Sequence, residues 1–212
     1  MSGKLSVVFC WHMHQPFYRE ADSGRYHLPW VYLHAMKDYT DMAAILRRVP
    51  GARSVFNFVP SLMVQIHDYA HQINAWLTGK QNNLPDRLLE CLVRSDGYSD
   101  DDRHYLLEAG FRLNHERNLH RYPCYSRLYA MAVHVRDQDA NLYLGEQFFA
   151  DLVTWYHIGW LAETVRNEHP VARRLLEKGQ NFDQQDRRDL VELIYELLQA
   201  IPETYRELHN AG

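Results

Sequence analysis

The run Leu5-Ser6-Val7-Val8-Phe9-Cys10-Trp11 constrains this chain most. Both of its alternating faces are mostly apolar. That pattern suits a strand covered on both sides, as in parallel α/β sheets. Pro16 ends it, because proline has no N–H to give to a ladder. A second run rich in β-branched and aromatic residues, Arg53–Val59, is closed by Pro60. Between the two, a helix is expected over 28–48. Pro29 suits its first turn, Pro50-Gly51 stops it, and Tyr32, Met36, Tyr39, Ala43 and Leu46 fall on one stripe. Strand, helix, strand in that order is a βαβ unit, with parallel strands and a right-handed crossover.

From Pro60 onward the chain reads as helical. Leu62, Ile66, Tyr69, Ile73, Trp76 and Leu77 form a helix stripe ended by Gly79. A short helix is expected over Pro85–Arg94. Ser99 reads as an N-cap, with the acidic run Asp100-Asp101-Asp102 in the first turn, where the helix dipole favours it. Further helices are expected over Tyr125–Val135 and over Glu146–Glu168, the latter apolar nearly all round and hence buried. The last starts near Asp183 and carries Leu190, Leu193, Ile194, Leu197, Leu198 and Ile201 on one face, and Pro202 is expected to kink or break it. Trp155, Trp160, Tyr122, Tyr125 and Tyr129 read as core residues.

Composition narrows the class of function. With 46% hydrophobic and 24% charged residues, the chain is that of a globular protein. A complete eight-stranded β/α barrel takes about 250 residues, so 212 is short for one. Lys and Arg number 23 against 27 Asp and Glu, a formal charge of −4, and the pI is near 6.3. Such a balance offers no electrostatic footprint for nucleic acid. The pairs Arg47-Arg48, Arg173-Arg174 and Arg187-Arg188 read as solvated helix faces. Cys10, Cys91 and Cys124 are odd in number, with no CxxC, so neither a disulfide framework nor a thiol zinc site is suggested. The first apolar run is too short for a membrane span. A cytoplasmic setting is the expectation.

The chemistry concentrates in Trp11-His12-Met13-His14-Gln15-Pro16. On extended backbone, His12 and His14 point to the same side. They stand where a strand ends, which is where α/β sheets and barrels bind ligands. Two imidazoles there can ligate a metal, hydrogen-bond a polar substrate or satisfy backbone groups. A metal-dependent barrel hydrolase would use both as ligands but needs further His and carboxylates from later strands. His67 and His71 have the i, i+4 spacing of a chelating pair without a companion motif, and read as ordinary helix residues. A third alternative is a non-catalytic helical binding protein.

This segment, with Phe17, resembles the first conserved region of glycoside hydrolase family 57, which holds α-amylases, 4-α-glucanotransferases and branching enzymes. Other segments follow in the family's order: His27-Leu28-Pro29-Trp30 leading into Leu33-His34-Ala35-Met36-Lys37-Asp38-Tyr39, then Phe56-Asn57-Phe58-Val59-Pro60-Ser61-Leu62, then Phe149–Trp155 through Gly159-Trp160. The resemblance implies the N-terminal part of an incomplete seven-stranded (β/α) barrel, a TIM-barrel-like α/β fold. Residues 1–62 would be the first βαβ unit and 63–212 a mostly helical insertion. It implies a retaining enzyme on α-1,4-glucans that needs no metal or other cofactor. Retention requires two carboxyl groups about 5–5.5 Å apart. In the family these are a Glu and an Asp on the fourth and seventh strands.

Neither role is assignable here. Glu108, Glu146, Asp151, Glu163, Glu192 and Glu196 all fall on expected helices. The ending Leu208-His209-Asn210-Ala211-Gly212 resembles the lead-in to the family's second conserved region. The expectation is therefore a chain that stops at the threshold of the third strand and is inactive alone. By the resemblance, His12 and His14 face the glucosyl unit at the cleavage point, Gln15 braces that wall, Trp30 offers a sugar platform, and Asn57 orients a histidine.

Overall fold

The computed structural model describes residues 7–84, 86–137 and 143–211. Strand β1 (Cys10–Met13) and strand β2 (Val55–Phe58) pair in parallel, as a βαβ unit requires, and form a two-stranded sheet. The register sets Cys10 beside Val55, Trp11 beside Phe56, His12 beside Asn57 and Met13 beside Phe58. Residues paired in this way project from the same face. Met13 is buried, and Phe56 and Phe58 meet the ring of Tyr205 at 5.0 and 4.7 Å. That face packs on helices. The face that carries His12 and Asn57 is open.

The expectation of a strand covered on both sides is corrected here. Val7, Val8, Phe9 and Trp11 are exposed. Nothing among the described residues lies over the open face or the outer edge of β1. Leu5 and Ser6, part of the same expected strand, lie outside the described residues, as do Pro85 and Gly212.

The crossover helix is expected as one element and occurs as two, α1 (Trp30–His34) and α2 (Thr40–Arg48), joined by a π-helical turn at Ala35–Tyr39. Tyr32, Met36, Tyr39 and Ala43 of the expected stripe are all buried. The turn's Met36 carbonyl accepts the N–H of Ala162 at 2.9 Å, which ties the crossover to a distant helix.

Helix α3 (Pro60–Leu77) starts on its proline and is stopped by Gly79, whose φ of +70° suits glycine. Helix α4 (Arg87–Val93) is capped by Asp86. Helix α5 (Asp100–Ala109) is capped by Ser99, which accepts the Asp102 N–H at 3.2 Å. Helix α6 (Pro123–Asp137) contains the expected Tyr125–Val135 segment.

The long helix expected over Glu146–Glu168 is broken into α7 (Glu146–Trp160) and α8 (Glu163–Glu168). Leu161 and Ala162 are extended, and the carboxylate of Asp41 supplies a cap from across the fold. Its oxygens accept from Glu163 N–H (2.7 Å), Thr164 N–H (3.0 Å) and the Thr164 hydroxyl (2.6 Å). Helix α9 (Pro170–Lys178) follows, and then α10 (Gln184–Asn210), which opens on an Asp183–Asp186 capping box.

Of the two outcomes expected at Pro202, a kink or a break, the break does not occur: α10 runs through it to Asn210. The segment beyond the proline is held by tertiary contacts. The Tyr205 hydroxyl donates to the Tyr39 carbonyl at 2.8 Å and its ring packs on β2.

The core lies among the helices, around α3, α7 and α10. Tyr125, Trp155 and Trp160 are buried in it, and Tyr122 and Tyr129 pack against its margin. The reading of Arg187 and Arg188 as a solvated pair is corrected. Arg187 is buried and donates to the carbonyls of Leu92 (3.2 Å) and Arg94 (2.8 Å), while Arg188 donates to that of Leu77 (2.9 Å). Both guanidinium groups satisfy carbonyls that the ends of α4 and α3 leave without intrahelical donors.

Candidate functional site

The site begins where β1 runs out. His12 lies on the open face beside Asn57, and His14 follows just past the strand. The two imidazoles are parallel, with centroids 5.7 Å apart and planes within 7°. Both are exposed. Asn57 is likewise exposed; it is a lateral neighbour of His12, and no hydrogen bond joins their side chains among the described residues.

The turn that follows is built from polar contacts. Gln15 is half-buried: its side-chain oxygen accepts from the Tyr18 hydroxyl at 3.1 Å, and its carbonyl accepts from the Ser61 hydroxyl at 3.4 Å. Beneath it sits Gln65 of α3, fully buried. Its amide donates to the carbonyls of Pro16 (2.9 Å) and Ser61 (3.0 Å), and its oxygen accepts the Tyr18 N–H (2.8 Å). A buried amide with both ends satisfied fixes the backbone on which it closes. Gln65 thus clamps the exit of the histidine motif onto α3. Sequence reasoning missed it. The available signal was a polar residue on the apolar stripe of Leu62, Ile66 and Tyr69.

Trp30, the first residue of α1, is half-buried. Its ring lies 5.8 Å from Trp160 and 6.3 Å from His34. Beside it, His34 Nδ1 stands 2.5 Å from Asp38 Oδ2, and Lys37 Nζ lies 4.6 Å from the Trp160 ring centroid. The buried indole N–H of Trp160 has no hydrogen-bond partner among the described residues.

The loop between Gln15 and Trp30 is pinned along its length. The Tyr26 hydroxyl donates to Asp68 at 2.7 Å, Arg25 pairs with Glu90 at 2.8 Å, and His27 lies 2.8 Å from Glu20. Tyr69 donates to Asp86 at 3.0 Å, and burial raises the Asp86 carboxyl to about 6. Below, His157 is buried between the Tyr32 hydroxyl (3.0 Å) and the Val153 carbonyl (2.7 Å), and burial lowers it to about 4.

The carboxylates considered for catalysis are on helices, as expected, and several have structural partners. Asp151 accepts from the N–H groups of Asn181 (2.9 Å) and Phe182 (2.8 Å). Glu146 accepts from Tyr98 N–H at 2.9 Å and pairs with Arg103. Glu163 pairs with Arg121 and Arg166, whose hydrogen bonds hold it down at about 2. None stands beside His12 or His14. Among the described residues, no group of three His, Cys, Asp or Glu is placed to hold a metal ion. No helix among them is long and apolar enough to cross a membrane.

The family model described as glycosyl hydrolase family 57 matches residues 8–208. That span runs from the first strand through the β2 exit and nearly to the end of α10. No curated protein and no solved structure matches the chain.

Proposed function

This chain belongs to glycosyl hydrolase family 57, and from that premise we propose that it forms one wall of a substrate cleft for α-1,4-glucans. The observation that carries the reading is the register of the sheet. It sets His12 beside Asn57 on the open face, with the His14 ring parallel to that of His12. Imidazoles in that position donate and accept hydrogen bonds with sugar hydroxyls. Gln15 braces them from the turn, and Trp30 offers an aromatic surface at the rim.

In this reading the sheet is the first βαβ unit, within 1–62, of an incomplete seven-stranded barrel, and 63–212 is the helical wall beside it. The chemistry is retaining, without metal, and rests on two carboxyl groups flanking the bond. The helix-borne carboxylates described above do not supply that pair, so in this reading the chain by itself binds glucan weakly at most and does not cleave it. Its setting is cytoplasmic.

Calorimetric titration of the chain with maltoheptaose tests the reading. His14→Ala should weaken binding at least tenfold, about 1.4 kcal/mol, with the melting temperature unchanged. Affinity unaltered in that variant would remove His14 from the site. Release of reducing sugar from amylose by the chain alone would overturn its inactivity.

A further inference from the structure

A concavity is lined in part by the loop that follows the histidine motif. It is an open concavity of about 350 Å³ between Tyr26, His27 and Pro29 on the loop side and Asp86, Arg87 and Tyr105 on the side of α4 and α5. Ligand pockets span about 300–1,000 Å³, so this one has room for one or two sugar rings.

Its chemistry selects further. The walls include two tyrosines and a proline ring. Tyr26 is buried, with its hydroxyl committed to Asp68. Tyr105 is half-buried, and its hydroxyl makes no hydrogen bond among the described residues. The charges at the rim already have partners: Arg25 with Glu90 (2.8 Å), His27 with Glu20 (2.8 Å), and Arg87 with Asp101 (2.5 Å) and Asp102 (3.3 Å). A charged ligand would have to displace one of these partners. A neutral hydroxylated ring can hydrogen-bond to the guanidinium and carboxylate groups without separating the pairs, and charge-assisted hydrogen bonds are the stronger kind. The Arg87 guanidinium lies over Tyr105 at 4.4 Å, which fixes both walls on that side.

We infer that this cavity is a separate subsite for a neutral sugar, a glucosyl or maltosyl unit, distinct from the strand-end histidines. The choice of glucose rests on the proposed activity; the preference for a neutral hydroxylated ring rests on the cavity. The two sites share one loop, because residues 15 to 30 join Gln15 to Pro29 and Trp30. A sugar held against the loop would brace the turn that presents His14.

Maltose titration of four proteins tests this: wild type, Tyr105→Phe, Glu20→Gln and His14→Ala. Tyr105→Phe keeps the ring and removes only an unpartnered hydroxyl, so the fold survives it. Maltose affinity should fall about tenfold in Tyr105→Phe and in Glu20→Gln, with one maltose still bound by His14→Ala. The inference is overturned if wild type binds no maltose, if neither pocket variant changes its affinity, or if inorganic phosphate displaces it. Loss of all maltose binding in His14→Ala would also overturn it, while leaving the strand-end site standing. Unaltered maltoheptaose binding in His14→Ala, with maltose weakened in Tyr105→Phe, would do the reverse.

Discussion

His157 and Asp86 are single residues whose burial makes stability depend on pH, with opposite signs. Burial holds His157 at about 4, against 6.5 for the exposed ring. Between those values the unfolded chain binds the proton and the folded one does not. Stability from this residue is therefore full above pH 6.5 and is lost as pH falls toward 4. Its scale is on the order of 3 kcal/mol. Burial raises Asp86 to about 6, against 3.8. There the folded state binds the proton first, so acidification from pH 6 toward 3.8 adds stability. The two partly cancel over the same window. Melting temperatures from pH 4 to 8 should separate them. Asp86→Asn keeps an N-capping oxygen and should fall more steeply than wild type on acidification. His157→Gln should fall less. Parallel profiles in all three proteins would show that neither burial matters.

At the scale of elements, the boundaries are where local sequence and tertiary structure part company. The existence and order of the two strands, the Ser99 cap and the start of α10 were legible from local residues. The parallel pairing followed from the crossover rule, but β1 lies at Cys10–Met13 and not over the expected Leu5–Trp11. The break at Leu161-Ala162 was not legible. It depends on Asp41, which accepts the N–H groups of Glu163 and Thr164 from 122 and 123 residues away. It depends also on the Met36 carbonyl that the π-helical turn turns toward Ala162. Asp41→Ala should cost about 1–2 kcal/mol, the usual scale for a lost cap, read as a lower urea midpoint with an unchanged slope. No loss would mean that packing of α8 alone ends α7. The continuity of α10 through Pro202 has the same character, since Tyr205 anchors the far side on β2 and Tyr39.

At the scale of the whole molecule, a helical core carries a two-stranded sheet whose outer edge and open face are uncovered. Val8 is 73% exposed and Phe9 61%. Exposed apolar edges pair with other chains unless charge or proline blunts them. The chain should therefore associate progressively with concentration, and Val8→Lys should suppress that in light scattering. Scattering that is flat with concentration in wild type would contradict the expectation.

The candidate site was legible in part for the same physical reason as the elements. A strand end, two imidazoles two residues apart and a proline are local facts, and the ordered motifs sufficed to identify glycosyl hydrolase family 57. Sequence alone thus determined the βαβ unit, the helical stripes and the histidine pair. Tertiary structure alone decided that His12 lies beside Asn57, that Gln65 clamps the turn, that Arg187 is buried and that α7 ends at Trp160. Periodicity reports which face of an element is apolar. It does not report which distant carbonyl, carboxylate or ring will meet that element, and those meetings settle where elements stop and which polar side chains are buried.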